Sequence, residues 1–600
     1  MGDINITGLI SIIIFYLIIV LIGVWAAWRK RKKGAGSQSE TIMVAGRDIG
    51  LFVGCFTMTA TWVGGGYING TAESVYTTGY GLIWTQAPFG YAISLILGGI
   101  FFAKKMREQG YVTMLDPLQR KLGRRMGGFL FIPALMGELF WSAAILSALG
   151  STLAVILNLN INASVIVSAI IALLYTLIGG LYSVAYTDVV QLFCIFVGLW
   201  ISVPFALTND AVGSIAETAH TGEGGWLGTW DPATTGQWVD SALLLMFGGI
   251  PWQVYFQRVL SSDSAKHAQI LSFIAAFGCI VMAIPSVLIG AIGVSTNWTE
   301  TNYKDGNGTS PEDNGEELMI LPIVLQYLTP TAVSFVGLGA VAAAVMSSAD
   351  SSILSASSLF TRNVYKLAVR QSASEKELLW VMRAAIVVMT ALSTILALTI
   401  KSVYALWFLC SDFVYVILFP QLLCVIYFDP NTYGSICAFT LGLILRLGGG
   451  EPAFKLDPFI HYPYGTNFPY KTFSMIISLI TLLVISYSVR YLFTSKILHE
   501  KFDIFDCNLA RGGRTIDHYL NDDDENSKTK KKKPLDRQTS TAAELRARYN
   551  KQELEEDVMK TTSFQAGYDN ISESPSPEGV PNKGFEDEDD QAKIIKKSKL

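Results

Sequence analysis

Thr57-Met58-Thr59-Ala60-Thr61-Trp62-Val63-Gly64-Gly65-Gly66-Tyr67-Ile68-Asn69-Gly70 lies between flanks apolar enough to enter a bilayer. It nevertheless carries three consecutive glycines, a tryptophan and several hydroxyls where a stable membrane helix holds leucine. Irregular backbone at that depth persists only when buried in protein or lining a cavity, because each unpaired amide or carbonyl facing lipid costs several kcal/mol. Two readings stay open on this stretch alone. It is half of a binding site, or it is a glycine-lined helix contact of the small-xxx-small kind.

Outward from this break the chain is that of a polytopic all-α membrane protein. Of 600 residues, 51% are hydrophobic and 16% charged, and the charges crowd into short loops and the C-terminal tail. Thirteen apolar runs of about 18 to 25 residues can be drawn. They lie at 8–28, 50–72, 80–103, 127–157, 162–182, 187–207, 239–256, 270–293, 320–361, 379–399, 402–428, 431–449 and 472–495. The first follows Asp3 rather than a basic segment and has no small-residue cleavage site, so it reads as a retained helix. The net charge of -4 averages basic loops with an acidic far tail and leaves no nucleic-acid footprint. The seven cysteines, six of them in or beside apolar spans, do not suggest a secreted disulfide framework. No nucleophile-base pair or cofactor motif points to an enzyme, and no cofactor is expected.

Lysine and arginine mark the cytoplasmic side of short loops. Arg29–Lys33, the loop from Lys104 to Arg125, Arg258–Lys266 and Arg362–Lys376 all fall on one side, which puts the N-terminus outside and the tail inside. Sequons at Asn5, Asn297 and Asn307 then lie outside, where glycosylation occurs. The resulting division is an extracellular N-terminus (1–7), an added first helix (8–28), two repeats (50–207 and 239–428), two further helices (431–495) and a cytoplasmic tail (496–600). The tail is too polar to fold beyond about Asp522. Its Lys530-Lys531-Lys532-Lys533 run reads as a solvated charge cluster or as a contact with anionic lipid.

A second interruption matches the first. In the seventh run Leu243-Leu244-Leu245-Met246-Phe247 leads into Gly248-Gly249-Ile250-Pro251-Trp252-Gln253, where proline removes a donor and two glycines loosen the preceding turn. Runs two and seven each open a group of five, the pattern of an inverted repeat with paired broken helices at a midplane site. Ionisable residues at mid-membrane usually face a cavity or a partner. Asp350 lies inside Ser347-Ser348-Ala349-Asp350-Ser351-Ser352, a ladder of hard oxygen ligands suited to an alkali cation, with small-residue packing as the alternative. Asp188 is an ion ligand or an interfacial charge. Four aromatic residues, Trp62, Tyr91, Trp141 and Trp252, lie nearer mid-span than the usual interfacial belt, and together they suit a cage for a quaternary ammonium group. Trp407 is a lid or a belt residue.

Long blocks of this chain, including Gly46–Gly50, Thr57–Glu73, Gly110–Pro117, Tyr182–Leu207, Gly248–Leu260 and Val345–Ser357, resemble the sodium/solute symporter family from about Gly8 to Leu509. The resemblance implies a LeuT-type five-plus-five inverted repeat and sodium-coupled uptake of choline at the plasma membrane, serving acetylcholine synthesis in cholinergic terminals, with vesicle membranes as a second location. It also implies chloride dependence, without locating a chloride site. By motif, a first sodium site uses carbonyls of Thr59, Trp62 and Ala344 with the hydroxyls of Ser347 and Ser348. A second uses Asp188, Asp350 and Ser351. The alternatives are a carrier of another quaternary ammonium compound such as betaine, or a non-transporting sensor or channel of the same fold. The acidic dileucine-like internalisation signal expected in such a carrier is not evident in the tail.

Overall fold

The computed structural model describes residues 6–31, 42–178, 180–221, 225–306 and 309–505, with Cys507 and Leu509, all within one compact unit, Met1–Leu520. Asn5, Asn307, the Lys530–Lys533 run and the far tail lie outside the described residues. Within them the regular secondary structure is helical, with isolated bridge pairs such as Ile49 with Ser262 and Val212 with Thr296. Helices satisfy their own amides and carbonyls, which hydrocarbon cannot do.

The chain begins with α1 (Ile6–Arg31), then α2 (Leu51–Trp62) and α3 (Gly65–Tyr76), which meet at a 44° bend where Val63 and Gly64 leave helical geometry. There follow α4 (Ala87–Gly98), α5 (Arg124–Leu157), α6 (Ile161–Ile178) and α7 (Leu181–Leu207). The second break separates α8 (Thr235–Gly248) from α9 (Gln253–Ser261). Next come α10 (Ala265–Val294), α11 (Ile320–Tyr327), α12 (Thr331–Leu359), α13 (Glu375–Thr399), α14 (Val403–Phe413), α15 (Phe419–Tyr427), α16 (Thr432–Gly448) and α17 (Tyr470–Thr494).

By length and composition, eight helical stretches among the described residues can cross a membrane, and the α2–α3 pair makes nine. The runs outside that set are the first, fifth, seventh and twelfth. The seventh fails because its inner half, Gln253-Val254-Tyr255-Phe256-Gln257-Arg258, is polar although every residue of α9 is buried. The ninth run is not one helix. Proline at 330 fixes an extended start for α12 and separates it from the short α11, and past Leu359 the helix widens into a π-type turn reaching Val369.

The centre of the molecule is α12, buried continuously from Gly337 to Leu359 and packed on α7, α5 and α1. Its small residues allow this: a Cβ on Gly198 of α7 would overlap Ala340, and Cβ atoms on Gly64 and Gly65 would overlap Ser348 and Val345. Gly64 and Gly65 therefore do pack as small residues against α12 and also open the break. The small-residue packing and the break thus occur at the same glycines. At one end, Ile49 N–H donates to Ser261 O (3.1 Å), Arg47 to Gly110 O (2.8 Å) and Arg107 to Ser262 O (2.7 Å), so three basic segments converge there. At the other, Gly213 N–H donates to Ser295 O and Asn297 N–H to Ala211 O, both at 2.8 Å.

Candidate functional site

The two breaks bring their tryptophans together. Trp62 closes α2, Trp252 precedes α9, and their ring centroids lie 5.1 Å apart. Tyr91 of α4 meets Trp62 at 4.9 Å and Trp252 at 5.5 Å, and Trp141 of α5 meets Trp252 at 5.5 Å. Trp407 of α14 completes the cluster, 5.3 Å from Tyr91 and 5.9 Å from Trp141. All five rings are buried. These separations are those of packed aromatic pairs. Tyr91 is oriented by Ser411 (O···O 2.7 Å) and Cys410 Sγ (3.3 Å). The indole N–H groups of Trp62, Trp252 and Trp407 meet no acceptor among the described residues.

Above Trp407 lies Tyr404 (5.9 Å), on the floor of a cavity of about 650 Å³ lined by Glu73, Trp84, Asp240, Glu317 and Glu451 among others. Glu73 fastens this roof by accepting from Ser402 Oγ (2.6 Å) and the amides of Val403 (3.0 Å) and Tyr404 (3.3 Å) at the start of α14. A carboxylate at a helix N-terminus satisfies its free amides and meets the favourable end of its dipole. Asp412, more than two turns further along α14, is buried against Arg446 (Nε to Oδ1 2.6 Å) and Lys471 (3.4 Å), tying α14 to α16 and α17.

One side of α2 faces the rings and another faces oxygen ligands. Thr59 Oγ1 donates to Cys55 O, and its carbonyl accepts from Val63 N–H, both at 2.8 Å. Ser348 Oγ donates to the Thr61 carbonyl (3.3 Å), and Ala344 O lies 3.6 Å from where a Gly64 Cβ would stand, so this part of α12 lies directly on the break. Ser347 Oγ donates to Asp188 Oδ1 (2.5 Å), which leaves the hydroxyl lone pairs open to a cation. Thr57 Oγ1 donates to Asp188 Oδ2. Asp188 is thus a buried member of the cluster and not an interfacial charge. Asp350, equally buried, has neither side-chain oxygen hydrogen-bonded among the described residues. A buried carboxylate in that condition is costly without a cation, which fits an alkali-ion ligand.

Sequence reading missed two charged residues here. Arg258 was assigned to a basic loop but is buried on α9, with its guanidinium 3.6 Å from Asp188 Oδ2 and bonded to Ser351 Oγ. Polar residues around it hid the fact that α9 continues the seventh run inward. Glu138, three residues before Trp141, is buried and accepts from Val254 N–H (3.3 Å), Ser355 Oγ (2.8 Å) and Ser352 Oγ (3.0 Å). The rule that singled out Asp350, an ionisable group at mid-span, applies equally to Glu138, Glu73 and Asp412. Asn297 is exposed at the end opposite the basic loops, with its side chain held by Thr299 and Glu300.

Residues 42–442 match the sodium:solute symporter family. The chain is 61% identical over 520 residues to the human high affinity choline transporter 1, covering 84% of this chain and 89% of that protein. It is 59% identical over 532 residues to the Torpedo marmorata high-affinity choline transporter 1, covering 86% and 91%. The fold is LeuT-like and shared with a Na+-coupled sialic acid symporter solved in a substrate-bound outward-open state, at a TM-score of 0.65, 17% identity, and 81% and 98% coverage.

Proposed function

Because the chain belongs to the sodium:solute symporter family, we propose that it couples the inward movement of sodium to uptake of choline across the plasma membrane by alternating access. The observation that carries this reading is the contact of both broken helices with one buried cluster of five aromatic rings, Trp62, Tyr91, Trp141, Trp252 and Trp407. Ring faces attract a quaternary ammonium group, which has no proton to donate and gives up only weak hydration. The names of the two relatives given above agree with it.

In this reading α2 does two jobs. Carbonyls of Thr59, Trp62 and Ala344 with the hydroxyls of Ser347 and Ser348 hold one sodium, and Asp188, Asp350 and Ser351 serve a second. Sodium at the break then fixes the Trp62 ring for choline, so coupling passes through one turn of unwound backbone. Sodium at Asp188 displaces Arg258, whose guanidinium sits at that carboxylate in the described state. An inside-negative potential adds about 2.3 kcal/mol per positive charge per 100 mV.

The finer parts of the reading are thirteen crossings with a five-plus-five inverted repeat, an outside N-terminus, glycans at Asn5, Asn297 and Asn307, chloride dependence, and supply of choline for acetylcholine synthesis at cholinergic terminals. Purified protein in proteoliposomes tests the core of it. Choline should accumulate against its gradient only under an inward sodium gradient, and equilibration without accumulation would indicate a channel.

A further inference from the structure

The five-ring cluster contains no formal charge, and a buried carboxylate, Glu138, shares α5 with its Trp141. It lies one turn before Trp141 on α5. Its Oε1 accepts from the amide of Val254, two residues beyond Trp252. Ser352 and Ser355 of α12 supply two more donors, and Ser352 is itself within 2.8 Å of Ser142 Oγ. Three donors converge on its two oxygens, hydrogen bonding that favours the charged form of a carboxylate. No lysine or arginine forms an ion pair with it among the described residues, although the Arg258 guanidinium, bonded to Asp188 and Ser351, acts on it electrostatically. Gly137 keeps the path between charge and rings short: a Cβ there would stand 3.1 Å from Trp252 Nε1 and 3.0 Å from Cys410 O.

We propose that Glu138 is the specificity-determining countercharge of the aromatic site, through which the site admits a permanent cation and disfavours the zwitterion of the same shape. Ring faces alone hold a trimethylammonium group about equally well whether or not the ligand also bears a carboxylate. A fixed negative charge in a buried, poorly screened site does not, because it attracts the whole cation and repels the zwitterion's anionic end. The hydrogen bonds to Val254 on α9 and to Ser352 and Ser355 on α12 keep the charge in place.

This inference rests on the aromatic cluster being the substrate site. The test compares choline KM with the inhibition constant of betaine, its carboxylated counterpart, in sodium-driven proteoliposomes. In E138Q the ratio of betaine to choline constants should fall at least tenfold, and E138D should keep the wild-type ratio. S355A removes one donor but no charge, and it should lower uptake while leaving the ratio unchanged. If E138Q is not recovered as monodisperse protein, E138S carries the same expected shift, read by binding to purified protein. A ratio within twofold of wild type in a folded neutral variant overturns the inference, even if uptake falls, because that is the result of a structural role alone. Loss of choline uptake in W252A beside an unchanged ratio in E138Q overturns this inference and spares the cage. Wild-type vesicles that take up no choline overturn both.

Discussion

Arg258 and Asp188 are both buried, and neither can lose its partner cheaply. Removing one member of a buried ion pair costs about 3–5 kcal/mol because the other charge is left uncompensated. R258A is therefore expected to lower the melting temperature of the purified protein strongly, and the charge-neutral pair R258M/D188N should recover much of the loss, as thermal unfolding would read. Asp350 differs, since neither of its side-chain oxygens is hydrogen-bonded among the described residues. If its partner is sodium, D350N should be tolerated for folding yet raise the sodium concentration for half-maximal uptake several-fold, and an unshifted sodium dependence would return Asp350 to packing. For the rings, a desolvated cation-π contact of about 2 kcal/mol corresponds to a rise in choline KM of about 30-fold in W252A, measured as saturation of uptake.

At the scale of elements, the α2–α3 break was legible because three glycines inside an apolar run have few explanations, and the α8–α9 break because proline and glycine stand at the matching place. Close approach makes the first break sensitive. A Cβ at Gly64 would overlap Ser348, so G64A should reduce the yield of folded protein, with overpacking of this kind costing about 1–3 kcal/mol. S348G in the same chain should restore yield without restoring sodium dependence, because it returns the space and removes the hydroxyl. Other elements were hidden for physical reasons. The polar α9 carries no hydropathy signal, since its Gln253, Gln257 and Arg258 are paid for by partners distant in sequence: Gln253 by Met114, Gln257 by Met43, and Arg258 by Asp188 and Ser351. In the ninth run, hydropathy stayed high across Pro330 and masked the separation of α11 from α12. The aromatic set was found by its mid-span position, but only the packing of α14 against α4 and α5 put Trp407 in it.

For the whole molecule, the two ends are held by different chemistry. At the basic end Asp116 is buried and accepts from Val112 N–H (2.8 Å), Thr113 Oγ1 (2.7 Å), Asn363 (3.1 Å) and Arg362 (3.2 Å), joining the Gly110–Pro117 loop to the π-type turn after α12. Burial alone would raise its pKa, but Arg362 and these donors outweigh that and hold it below the ordinary value. A group depressed on folding stabilises the protein above its unfolded pKa, about 3.9 for aspartate, and loses that contribution as pH falls through the folded value. Thermal stability should therefore decline on acidification below about pH 4, and D116N should show a smaller decline from a lower starting point. In the proposed function sodium and the aromatic site act through one segment, Thr57–Trp62. The most direct measurement is radiolabelled choline uptake by proteoliposomes of the purified wild-type chain, with an inward sodium gradient, without one, and with potassium in its place. Accumulation above the external concentration under the sodium gradient alone is predicted, and uptake that is equal in all three conditions would contradict it.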